Sequence, residues 1–252
     1  MKKCLPILVI WVLFCCDCDK LHAKSLKVVV NEVPGLAWAD DQGVYRGGFM
    51  ELVSAIDEAY KAGSIDIVGV FPFKRSIIML KKGAADFCLP LIKTKQGNPI
   101  KGLLFSSEPI GFHQTVLYSR ADRPGLDLDH LYQYKIDVIR GHKPLTLNRH
   151  GGEVSSVESG LLKVMGGRSD GFIISQDEGD AYIREHKIKT LRRQLHSRVP
   201  IHLVMKGGPG SKSLDAVLSG IIQELRVSGK LNEIMDKIHK PFFDWQPYEM
   251  DW

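Results

Sequence analysis

The sequence predicts an α/β protein built from two βαβ sets behind a short apolar leader. Two observations carry that reading. From residue 26 onward, apolar β-rich runs alternate with runs whose apolar residues recur at helical spacing. The alternation then restarts after the Pro- and Asp-rich stretch "ADRPGLDLDH" at 121–130. Strands alternating with helices imply right-handed crossovers and a mostly parallel sheet.

The first strand is "LKVVV" at 26–30, ended by the turn residues of "NEVPG". In "GFMELVSAIDEAYKAG", Phe49, Leu52, Val53, Ile56 and Tyr60 share one helix face, and Gly63 stands where a helix should stop. "IDIVGVF" is the second strand, followed by a helix over 74–82 closed by Gly83; "ADFCLPLI" is the third strand. "QTVLYSR" at 114–120 is another. In the second set, "YKIDVIRG" and "SDGFIIS" read as strands, "VESGLLKVMGG" and "EGDAYIREH" as helices. "VPIHLVMK" is again a strand. Leu214, Val217, Leu218, Ile221, Ile222 and Leu225 then form the cleanest amphipathic stripe, and "LNEIMDKI" a last short helix after "SGK". Strand-like crossings near 116–120 and 198–204 divide the chain. The expected organisation is a discontinuous first lobe, residues 24–118 and 201–252, with an inserted second lobe at 119–200.

Residues 1–23 read as an export signal: Lys2 and Lys3 precede the apolar "LPILVIWVLF", and Ala23 offers a small residue before a cut. That apolar run is short for a membrane span, which needs about 20 residues, so an uncleaved anchor is the alternative. A periplasmic location is expected, without a lipid anchor. Four of the five cysteines lie in the leader, leaving Cys88, so no internal disulfide is available to the remainder. With 44% hydrophobic and 25% charged residues, the composition is that of a globular chain. The net charge of +5 is unclustered, which argues against nucleic acid. The nine histidines show no zinc-binding spacing, so no metal or other cofactor is expected. "GGPGSKS" at 207–213 has the outline of a phosphate loop, but Ser211 and Lys212 stand where that motif needs lysine after an adjacent glycine. It reads as a turn, with Ser213 as an N-cap.

Several strings in order carry a resemblance: "GVYRGGFMELVSAI", "FPFKRSIIMLKKGAADF", "FSSEP", "GGRSDGFII" and "SGKLNEIMDKI". Together they resemble the bacterial extracellular solute-binding protein family 3, the amino-acid-type periplasmic binding proteins. The resemblance spans nearly all of the chain after the leader. It implies the two-lobed type II periplasmic-binding-protein fold, each lobe a mixed, mostly parallel sheet flanked by helices. It also implies hinge closure on a small polar, anionic or amino-acid-like ligand, with no catalysis. The expected partners are that ligand and an inner-membrane ABC permease or a sensor protein, with the chain itself monomeric. A sensing or degenerate partner protein and a dehydratase-like enzyme on the same fold are the competing classes.

The ligand would lie at the carboxyl ends of the strands. Candidate residues there are Trp38 and Phe73, as aromatic walls or as rim packing, and Arg75, as an anion grip or a solvated charge. Leu91 and Thr94 close the third strand. Arg140, His142 and Lys143 make a cation-rich turn after the first strand of the second set. Two departures from the family matter. "IKTKQGNPIKGLLFS" lacks the arginine that clamps a ligand carboxylate, and "SQDEGD" leaves Ser175, Gln176 or a displaced Asp177 in the place of the amino-binding aspartate. The aromatic terminus "PFFDWQPYEMDW" is expected to pack on the first lobe.

Overall fold

The structure, a computed structural model, describes residues 25–33, 35–93, 100–140, 151–244 and 246. Its elements, in chain order, begin with β1 (Leu26–Asn31), β2 (Trp38–Ala39), β3 (Tyr45–Arg46), α1 (Gly48–Ala59), β4 (Ile65–Phe71), α2 (Phe73–Lys82) and β5 (Phe87–Ile92). There follow β6 (Leu103–Arg120), a short 3-10 helix (Leu128–Gln133), β7 (Ile136–Ile139), β8 (Glu153–Val154), α3 (Val157–Met165), β9 (Gly171–Ser175) and α4 (Gln176–Glu185). β10 (Leu191–Lys206), α5 (Ser211–Val227) and α6 (Lys230–Ile238) complete them.

The main sheet has the order β4-β1-β5-β10-β6-β9-β7-β8. β1 is parallel to β4 and β5, and β7 is parallel to β8 and β9; the long β6 and β10 run antiparallel to their neighbours. The expected α/β class with mixed, mostly parallel sheets is what the chain forms.

Each end of this sheet has its own core. Period-2 alternation sends Val28, Val30, Phe87 and Leu203 to a face covered by α1, α5 and α6, while Cys88 and Val204 meet α2 on the other. At the far end Val116, Tyr118, Phe172 and Ile174 pack with α3 and α4, and Leu117 and Ile173 face Ile136 and Val138. Between the cores, residues 112–114 of β6 pair with 198–200 of β10 and with no other strand. This two-stranded neck is bracketed by register shifts at Leu195/Ser197 and Ile201/His202. It precedes the first expected crossing, because Val116–Ser119 already pair with β9.

Two local readings are corrected. α5 starts at Ser211 with Gly210, at φ 82°, as its N-cap, so Ser213 lies inside the first turn. The turn is closed by Ser211, whose hydroxyl donates to the Gly208 carbonyl at 2.7 Å. Of the aromatic terminus, Phe242 lies against the second core and not the first, while Trp245, Tyr248 and Trp252 lie outside the described residues.

Cys88 is fully buried, and burial pushes its thiol up to about 12. Thiolate is the reactive form, so the native protein should leave Cys88 unalkylated by iodoacetamide at pH 8, with labelling only after urea unfolding. Peptide mass spectrometry reads this, and rapid native labelling would contradict the packing of β5.

Candidate functional site

At the carboxyl ends of β1, β4 and β5 the chain leaves a cavity of about 360 Å³. Val33 and Leu36 follow β1, Phe73 opens α2 directly after β4, and Pro90, Leu91 and Ile92 end β5. Ile100 precedes β6 and Phe105 lies within it, His113 comes from the neck and Ile201 from β10 beside it, Phe49 lies in α1, and His239 follows α6. Phe73 is 49% exposed at the rim of the cavity. None of the described lining residues is Asp, Glu, Lys or Arg.

The described charged candidates, Arg75, Arg140 and Asp177, lie outside the cavity lining, and each has a partner. The Arg75 guanidinium sits 4.1 Å from the centroid of the Phe71 ring, a cation–π contact on the outer face of α2. Arg140 points to the sheet edge, with its Nε 3.7 Å from Glu153 Oε2 and its side chain 77% exposed. Asp177, in the first turn of α4, has its Oδ2 2.6 Å from Nδ1 of His239. Gln176 is buried and donates to the Lys240 carbonyl at 2.7 Å. Trp38 lies in the β2–β3 hairpin opposite Arg46, outside the cavity lining. Of the expected site residues, therefore, the structure brings together Phe73 and Leu91. Thr94, His142 and Lys143 lie outside the described residues.

Sequence reasoning missed most of the wall. Ile92 was accessible from the rule that open sheets bind ligands past their strand ends. His113 and His239 carried no such signal: their rings meet edge to face at 6.0 Å across 126 positions of sequence, and His239 also meets Phe49 at 6.2 Å. At the neck itself, Thr115 Oγ1 lies 3.1 Å from His196 Nδ1 and 2.8 Å from Ser197 Oγ. Burial holds the His196 pKa below the ordinary imidazole value, favouring the neutral ring. The glycine turn at 207–210 lies beside Gly83 and Asp86, before β5 begins, so it belongs to the end of the sheet opposite the cavity.

No family model and no curated protein matches this chain. Solved structures do. The L-cystine solute receptor of Neisseria gonorrhoeae, in its unliganded open conformation, superposes with a TM-score of 0.65 at 16% identity, over 90% of this chain and 97% of that one. An ancestral cationic amino acid solute-binding protein gives 0.62 at 15% identity, over 87% and 97%. A histidine kinase sensor domain with similarity to periplasmic binding proteins gives 0.60 at 19% identity, over 85% and 95%. The chain has the periplasmic-binding-protein fold. Its structural neighbours are consistently of the amino-acid-binding type, as the resemblance implied. The cavity lies against the first core, beside the neck.

Proposed function

We propose that this protein is an exported solute-binding protein that captures a small molecule in the cavity beside its neck by hinge closure, for delivery to an ABC-type importer. The division into lobes follows the neck, with α5 and α6 returning to the first lobe. The single observation that carries the reading is the cavity itself, open at the strand ends and walled by Phe73, Leu91, Phe105 and Ile201. An amino-acid-like ligand is accommodated with an aromatic or branched side chain against those residues. A charged side chain is disfavoured there, because burying an ion without a partner costs several kcal/mol or shifts its pKa. The anionic ligand expected from Arg75 and Arg140 loses the support of those two residues, which face Phe71 and Glu153.

A thermal-shift panel tests this. Phenylalanine, leucine and their deaminated analogues should raise the melting temperature more than glutamate, aspartate, arginine or lysine. A solute at about 100 times its Kd stabilises by about 2.7 kcal/mol. A panel in which only acidic solutes stabilise would overturn the ligand class, and one in which nothing does would overturn solute capture. Sensing is the second reading, favoured by the likeness to a histidine kinase sensor domain. Recovery of a stabilised complex with a kinase rather than a permease would select it. Recovery of the stabilising solute chemically unchanged after incubation separates either from a dehydratase.

A further inference from the structure

We propose that the described residues after α6 are a strap: residues 239–244 and 246 tie the first lobe to the second beside the neck and limit how far the cleft opens. α6 belongs to the first core through Leu231, Ile234 and Ile238. From His239, whose ring also meets Phe49 of the first core at 6.2 Å, the described residues dock on the second. His239 Nδ1 meets Asp177 of α4 at 2.6 Å, and the Lys240 carbonyl accepts from Gln176 at 2.7 Å. The Phe242 ring packs against the second core with the Arg193 guanidinium 4.4 Å from its centroid, and the Phe243 carbonyl accepts from Arg193 at 2.8 Å. Gln246 donates to the carbonyl of Leu191.

The link is short. From Ile238 to the first docked carbonyl, at Lys240, the chain spans two residues, about 7 Å at full extension. It is also firmly seated. Gln176 and Arg193 are buried donors, and a buried donor that loses an acceptor is left without water to replace it. Peeling the strap away would strip Gln176 of the Lys240 carbonyl and Arg193 of the Phe243 carbonyl, and would uncover the Phe242 ring. The lobes are thus joined at three points, two neck strands and one strap, and the edge carrying the strap acts as a pivot with opening confined to the opposite edge. This explains why Asp177 is turned from the cavity: it is part of the docking ledge.

The test needs no ligand, so its failure is separable from that of the proposed function. Small-angle X-ray scattering is recorded on the wild-type protein without added solute, on the pair Gln176→Ala/Phe242→Ala, and on a variant with Gly-Ser-Gly-Ser inserted between His239 and Lys240. The insertion keeps every docking residue and only slackens the link. Both variants should shift the pair-distance distribution to larger separations and raise the radius of gyration, with the circular dichroism of the wild type. Should the substituted pair fail to fold, the insertion decides alone. Scattering curves that superpose on the wild type, from a folded variant, would overturn the strap.

Discussion

Replacing Arg193 by methionine is expected to destabilise the protein by about 3–5 kcal/mol at pH 8, and by less at pH 5. Arg193 and Asp180 form a buried ion pair, and the Tyr118 hydroxyl donates to the same carboxylate at 2.7 Å. Burial dominates the carboxyl and raises its pKa to about 6, against the pull of Arg193 and the Tyr118 hydrogen bond. An acid whose folded pKa lies above its ordinary value holds its proton more tightly in the folded state. Its contribution therefore favours folding in full below the ordinary carboxylate value and is lost as pH rises through about 6. Above that point the wild type keeps an ionised Asp180 because Arg193 faces it. The methionine variant must either bury an unpaired charge or retain the proton, so its deficit grows from pH 5 to pH 8. Urea denaturation at the two pH values reads the difference. A penalty that is equal at both, or larger at pH 5, would show that the pair does not titrate as described. The double variant Asp180→Leu/Arg193→Met should recover much of the loss, since an apolar pair of similar volume is often tolerated where a broken pair is not.

Two phenylalanines of the first lobe should separate stability from binding. Phe87 is fully buried in β5, opposite Val28 and Met205, and Phe87→Ala should cost about 3–5 kcal/mol through the cavity it leaves. Phe73, fourteen positions earlier, is half exposed at the cavity rim, and Phe73→Ala should leave the urea midpoint almost unchanged. The same substitution should abolish most of the thermal shift given by the best solute of the panel. A Phe73→Ala protein that keeps the full shift would place the ligand elsewhere.

The elements were legible because each is a local matter. A run such as "LKVVV" has nowhere to go but a buried strand, and the stripe through Leu218, Ile221, Ile222 and Leu225 buries on the first core as its spacing requires. The site was less so. Phe73 and Leu91 line the cavity because they flank strand ends. Arg75 and Arg140 were placed at the cleft by position along the chain, whereas side-chain direction and a neighbouring partner decide where a charge points. A guanidinium beside an aromatic face or a carboxylate is held by contacts that leave no periodic trace.

The strap shows the same limit more sharply. In "HKPFFDW" the aromatic content announces burial, and nothing in the string says against which core. That choice rests on Gln176 and Arg193, two buried donors more than forty residues upstream that give hydrogen bonds to the carbonyls of Lys240 and Phe243. By itself the sequence determined the α/β class, the order of strands and helices and the restart that makes two cores, since periodicity and turn residues act over a few positions. Only the tertiary structure decided which partners hold Arg75 and Arg140, that the described cavity lining carries no Asp, Glu, Lys or Arg, and that Phe242 meets the second core. Those outcomes depend on hydrogen-bond and packing partners that meet only when the sheet is assembled.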